Sequence, residues 1–144
     1  MRLWPLAIID LIPDKQLLGQ HRECCALRGN GWGRKYSTVD YVFNHPYWWL
    51  YVYHMCVIEQ MSSRKFHVSP AWRWEDYRGI HVGIDSTQFT HAPENATNIV
   101  LRTPVHNLIK VYPEHNGDYI DSCVRNLKQK GVVIDTTLIL EEYR

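Results

Sequence analysis

The sequence lacks the features that mark several protein classes. It has 4 cysteines in 144 residues and none of them forms a C-x-x-C pair, which excludes a zinc-finger spacing and a disulfide framework. The apolar run at residues 5–9 is too short for a signal peptide or a membrane span. No two histidines have the H-x-x-x-H spacing, so no metal or cofactor site is predicted. We therefore expect buried free thiols in a reducing, cytoplasmic setting.

The chain also lacks a strong overall charge. Its formal net charge is +1, so the whole molecule does not have the basic balance of a typical nucleic-acid binder. Residues 14–35 nevertheless carry a net charge of +3, because five basic residues outnumber two acidic ones. The five are Lys15, Arg22, Arg28, Arg34 and Lys35. A local basic patch of this kind holds phosphates, although a solvated helix face gives the same pattern.

Three helices are predicted from the spacing of apolar residues and from their proline and glycine boundaries. The first begins near residues 13–14 and ends at Gly29. The second starts near residues 44–46 and runs to about residue 63, and the third follows residues 113–116 and ends at Gly131. The second is nearly apolar over its first half, which predicts a central position and a buried, hydrogen-bonded His54. Residues 80–112 predict no long element. The length is that of one domain, residues 1–144.

Glu23 is the best candidate for a chemical role. It follows His21 and Arg22 on the first predicted helix. Its neighbours on the same helix face, Gly19 and Ala26, are small and leave room above the carboxylate. A substrate, the protein's own N-terminal segment or another helix could occupy that room. Most helix glutamates beside arginines are surface ion pairs, so the constellation alone leaves acid/base chemistry and simple pairing both open.

Residues 1–80 contain further motifs, which follow one another along the chain. Arg2 lies near the start, Arg22-Glu23 is followed six residues later by Gly29, and a basic pair and a Tyr-Arg-Gly segment come next at residues 34–35 and 77–79. This ordered set resembles the pyrimidine-dimer DNA glycosylases, the family of the phage endonuclease V-like repair enzymes. Residues 17–33 are similar to a cellular bacterial branch of that family.

The resemblance implies a fold and a reaction. The fold is a compact all-α single domain with three main helices and long irregular connections. The activity is that of a DNA glycosylase/AP lyase, which acts on pyrimidine dimers or abasic sites. The α-amino group of Met1 is the expected nucleophile, because bulky Arg2 normally blocks removal of the methionine, and it forms a Schiff base with the deoxyribose. Glu23 is the expected acid/base, and β-elimination then cuts the strand.

The resemblance also implies the substrate contacts and the partner. Damaged double-stranded DNA is the expected partner, and the protein is expected to bind it as a monomer, without a metal or cofactor, in the cytoplasm. The expected substrate-binding residues are Arg2, His21, Arg22, Arg28, Arg34 and Lys35, and the last four are expected to face solvent along one cleft. Ala26 stands where the family has a second active-site arginine, and Gln16 stands where it has a helix histidine.

Two other classes of function remain open from the sequence. One is a noncatalytic nucleic-acid-binding or interaction domain on the same fold, in which Glu23 is merely paired. The other is a small-molecule enzyme that uses the same pocket, which the near-neutral charge permits.

Overall fold

The computed structural model describes residues 2–29, 39–85 and 111–136, which form an all-α fold. Its three helices are α1 at Asp14–Arg28, α2 at Tyr47–Ser63 and α3 at Gly117–Gln129. Short 3-10 helices lie at Leu6–Ile8, Asp40–Asn44 and Pro70–Arg73. The described ranges contain no β-strand, only an isolated antiparallel bridge between Tyr77 and Ile84. The predicted all-α class with three main helices is confirmed.

Local sequence signals set the ends of these helices. Pro13 and Pro46 directly precede α1 and α2, as expected for a residue that lacks an N–H donor. The side chain of Asn116 caps α3 by accepting the backbone N–H of Tyr119 at 3.0 Å. Gly131 follows α3 with φ of +81°, a left-handed conformation that glycine adopts without steric cost. The predicted boundaries therefore agree with the structure to within a few residues.

Helix α2 is the centre of the core. Every residue from 50 to 58 is buried, in keeping with a helix that is apolar on nearly all sides. Helix α1 packs against it, and α3 adds Ile120, Cys123 and Leu127, which are fully buried. All four cysteines are free, and three of them are buried, as predicted. None of the helices in the described ranges has the length and apolar content to cross a membrane.

The N-terminal segment is part of the core, because residues 3–9 are all buried. All three helices hold its backbone. Gln20 of α1 accepts the N–H of Trp4 through Oε1 and donates to the carbonyl of Arg2 at 3.2 Å. The hydroxyls of Tyr53 on α2 and Tyr119 on α3 donate to the carbonyls of residues 4 and 3, at 2.6 and 2.7 Å. The backbone of residues 2–4 is therefore held beside α1.

Candidate active site around Glu23

Glu23 lines a cavity of about 500 Å³, a size within the range of about 300–1,000 Å³ that is typical of ligand sites. Its lining residues come from the N-terminal segment, from α1, and from the C-terminal part of α3 with the residue that follows it. Gly19 lies one turn before Glu23 and also lines the cavity, so the predicted open space above the carboxylate is present. Three parts of the chain that are distant in sequence therefore meet at this carboxylate.

The Glu23 residue is only 5% exposed, and no lysine or arginine in the described ranges forms an ion pair with it. The described part of the chain therefore does not support the alternative that Glu23 is a surface ion-pair partner. Burial raises the pKa of the Glu23 carboxyl, and the positive charge of the chain's amino terminus acts in the opposite direction. A carboxyl with a raised pKa is suited to exchange protons closer to neutral pH.

The cavity is cationic. Among the described residues that line it, four are basic, namely Arg2, Lys15, Arg22 and Lys130, and one, Glu23, is acidic. Arg2 and Arg22 were predicted to bind substrate, and the structure brings both to the cavity. Lys130 was not predicted, because it is more than 100 residues from Glu23 in sequence. The side-chain charges of Arg2 and Lys130 lie 5.9 and 5.7 Å from the centre of the Trp4 ring, which helps to hold them at the cavity.

His21, another predicted substrate contact, does not line the cavity. It is half-buried, and its Nδ1 lies 2.9 Å from Nε2 of His54 on α2. Nδ1 also lies 3.8 Å from Sγ of Cys25, and burial raises the pKa of that thiol to about 12. Nitrogen and sulfur atoms of these three residues lie within 4.8 Å of one another. The sequence missed this group, because two of its members are on α1 and the third is on α2.

The hydrogen bonds of His54 argue against metal ligation by this group. Nδ1 of His54 lies 2.9 Å from Nη1 of Arg28, which can only donate, so Nδ1 must be the acceptor. Burial, together with Arg28 and His21, holds the pKa of His54 well below its usual range, so the ring is neutral. Its proton is then on Nε2, which donates to Nδ1 of His21. Neither nitrogen of His54 therefore has a free lone pair for a metal. Arg28, His54 and His21 instead form a chain of hydrogen bonds.

The prediction that Arg28 faces solvent beside Arg22 is wrong. Arg28 is fully buried, and all five of its N–H donors are engaged. The acceptors are Tyr47 Oη at 2.9 Å, His54 Nδ1 at 2.9 Å and the backbone carbonyls of Trp72, Trp74 and Tyr77 at 2.8, 2.7 and 3.0 Å. Three of these acceptors are main-chain carbonyls more than 40 residues along the chain. Every residue has such a carbonyl, so the sequence could not predict these contacts. Arg28 therefore holds the segment around residues 70–78 against α1 and α2.

Arg78 of the Tyr-Arg-Gly segment has a structural role that the sequence did not reveal. It donates to the carbonyls of Arg28 and Gly29 at 3.0 and 3.1 Å, which satisfies groups left open at the C-terminus of α1. A Cβ at Gly29 would lie 2.7 Å from the Arg78 carbonyl oxygen. Gly29 ends α1 as predicted. The close approach of the Arg78 backbone explains why this residue is a glycine, since its φ of −95° is not left-handed. Met1, Arg34 and Lys35 lie outside the described residues.

Comparison with known proteins identifies a family. The family model described as "Pyrimidine dimer DNA glycosylase" matches residues 1–74, just over half of the chain. The matched part includes the N-terminal segment, α1 and α2, and therefore Glu23, Arg2 and Arg22. No curated protein and no solved structure matches the chain.

Proposed function

Because the chain belongs to the pyrimidine dimer DNA glycosylase family, we propose that it excises damaged pyrimidines from double-stranded DNA and then cuts the strand. The family accounts for DNA glycosylase activity in general. The proposal adds the lyase step and the groups that perform it. The α-amino group of Met1 is the nucleophile and Glu23 is the acid/base.

One observation carries the proposal: a buried carboxylate, unpaired in the described ranges, lies in the same cavity as Arg2, whose backbone is held by Gln20. Consecutive Cα atoms are about 3.8 Å apart, so the α-amino group is within one residue's reach of Arg2. An α-amine has a reference pKa of about 7.7–8.0, against about 10.4 for lysine. A useful fraction of it is therefore the free base near neutral pH.

The proposed reaction has two bond-breaking steps. The amine attacks C1′ of the damaged nucleotide, the C1′–N bond to the base breaks, and the base leaves with the electron pair and takes up a proton. The sugar ring opens to an imine between the amine and C1′. Removal of a C2′ proton then expels the 3′ phosphate, and hydrolysis of the imine restores the amine. Glu23 moves protons to and from the sugar, and its charge stabilises the cationic imine.

The basic residues supply the binding energy. Arg2, Lys15, Arg22 and Lys130 line the Glu23 cavity, and their proposed role is to hold the phosphates on either side of the damaged nucleotide. Arg34 and Lys35 are proposed to extend this contact along the duplex. His21 is assigned a positioning role within α1, since its ring is hydrogen-bonded to His54. The protein is proposed to act as a monomer, a single domain over residues 1–144, on DNA in the cytoplasm.

The test is strand cleavage by Glu23→Gln. This substitution keeps the shape of the side chain but cannot exchange the proton, and loss of general acid/base help costs about 10²–10⁴ in rate. We expect that loss on duplexes that contain a pyrimidine dimer or an abasic site, with DNA affinity and fold retained. Glu59→Gln on α2 is the matched control, because Glu59 pairs with Arg73 and does not line the cavity.

Two results would contradict the proposal. Equal cleavage by Glu23→Gln and wild type would remove Glu23 from the chemistry. Binding of duplex DNA by wild type without cleavage of either damaged duplex would instead support the noncatalytic nucleic-acid-binding alternative.

A further inference from the structure

Gln20 joins the N-terminal segment to the helix that carries Glu23. It is 2% exposed and lies on α1, three residues before Glu23. Its Oε1 accepts the backbone N–H of Trp4, and its Nε2 donates to the carbonyl of Arg2 at 3.2 Å. A backbone N–H only donates and a backbone carbonyl only accepts, so these two partners give the amide a single orientation.

The two hydrogen bonds restrain the peptide groups on either side of Leu3. The carbonyl of Arg2 belongs to the first group, and the N–H of Trp4 belongs to the second. A peptide group is planar, so a bond to one of its atoms restrains the whole group. Only the rotatable bonds of residues 1 and 2 lie between the first restrained group and the α-amino group. An α-amine has no side-chain rotamers, so the backbone alone determines its position.

The other side chains that hold this backbone come from different helices. Tyr53 on α2 donates to the carbonyl of Trp4 at 2.6 Å, and Tyr119 on α3 donates to the carbonyl of Leu3 at 2.7 Å. Of the side chains in the described ranges that bond to the backbone of residues 2–4, Gln20 alone lies on α1. Because one helix carries both Gln20 and Glu23, the distance between the segment and the carboxyl does not depend on how the helices pack.

Resting on the proposed function, we infer that Gln20 is a positioning residue, which aligns the α-amino group with the sugar that reacts at Glu23. The amine and the carboxyl must act on the same sugar, and a displacement of about 1 Å can cost about 10²-fold in rate. Both ends of the Gln20 amide are bonded to the backbone, so this residue acts on the nucleophile through the chain and not by binding the substrate.

The first experiment separates the chemical step from DNA binding. It measures borohydride trapping at saturating concentrations of a duplex with one abasic site, and it measures Kd for the same duplex. Gln20→Met keeps a similar length and removes both hydrogen bonds. We expect its trapping rate to fall about 10–100-fold, because the amine is no longer aligned. Its Kd should stay within about twofold of wild type, because other side chains hold the phosphates.

Tyr119→Phe is the matched control. It removes one hydrogen bond to the same segment and leaves both hydrogen bonds of Gln20 in place. Its trapping rate should stay within about threefold of wild type, because the alignment is retained. All rates are compared at a temperature at which circular dichroism shows the variants to be folded.

Gln20→Glu adds a readout that a purely structural role would not change. A protonated glutamate keeps both hydrogen bonds, because its O–H donates to Arg2 and its other oxygen accepts from Trp4. An ionised glutamate has acceptors only. The ratio of its trapping rate to that of wild type should therefore approach one at acidic pH and fall as the pH rises through the pKa of the introduced carboxyl. The corresponding ratio for Gln20→Met should not change with pH.

Three results overturn the inference and leave the proposed function intact. They are equal trapping by Gln20→Met and wild type, an equal loss in Gln20→Met and Tyr119→Phe, and a ratio for Gln20→Glu that is constant with pH. The last result decides the question even if Gln20→Met does not fold. If wild type gives no trapped adduct, the proposed function fails, and the inference fails with it.

Discussion

At the scale of single residues, the burial of Glu23 lowers the stability of the folded protein when its carboxyl is charged. Burial makes the charged form of a carboxylate less stable, which is why the pKa of Glu23 is raised. The same burial gives the carboxyl its acid/base role in the proposed reaction. Function and stability are therefore opposed at this residue.

This opposition predicts a pH-dependent effect of Glu23→Gln on stability. A carboxyl whose pKa is higher in the folded than in the unfolded state contributes stability below its unfolded-state pKa, near 4.5, and that contribution is lost as pH rises through the folded-state pKa. The amide does not ionise. The variant should therefore gain stability relative to wild type between acidic and neutral pH, measured by chemical denaturation. A difference that does not change with pH would contradict the burial of the charge, and Glu59→Gln is the control.

At the scale of elements, Arg28 joins three parts of the chain. It lies on α1, bonds to Tyr47 and His54 on α2, and donates to three carbonyls between residues 72 and 77. Its guanidinium also lies 5.3 and 5.2 Å from the ring centres of Tyr51 and Trp72. The irregular segment after α2 therefore has its own anchor.

Removing that anchor should be costly. Arg28→Met leaves several buried acceptors without donors, at about 1–3 kcal/mol each, so we expect the free energy of unfolding to fall by more than about 3 kcal/mol. Amide hydrogen exchange should accelerate first around residues 70–78. Arg22→Met removes an exposed arginine from the same helix and should change stability by no more than about 0.5 kcal/mol. Similar effects of the two substitutions would show that the buried hydrogen bonds do not hold this segment.

The helices could be predicted from sequence, but these anchors could not. The spacing of Ile120, Cys123 and Leu127 and the position of Gly131 are local signals, and they gave α3 nearly its observed bounds. The partners of Arg28 are mostly main-chain carbonyls, which every residue has. No sequence pattern identifies which carbonyl meets which guanidinium. The same limit hid the Gln20 contacts that fix the N-terminal segment.

At the scale of the whole molecule, the candidate site is an assembly of distant segments. Arg22 and Glu23 were predictable from a dipeptide on one helix, and Arg2 from its place near the chain start. Asn126 and Lys130 also line the cavity, although they are more than 100 residues from Glu23 in sequence. They reach it because α3 packs against the N-terminal segment, which the sequence did not predict. Packing also buries Arg28, which was predicted to face solvent in the same cleft.

The most direct test of the account is the position of the covalent adduct on the protein. Borohydride reduces an imine between an amine and the substrate sugar to a stable bond, and peptide mapping by mass spectrometry then identifies the amine. Two other amines, Lys15 and Lys130, line the same cavity, so Lys15→Arg and Lys130→Arg serve as controls. The account predicts an adduct on the α-amino group of Met1 in wild type and in both controls, and none when that amine is blocked. An adduct on Lys15 or Lys130, or an adduct that persists after the α-amine is blocked, would contradict it.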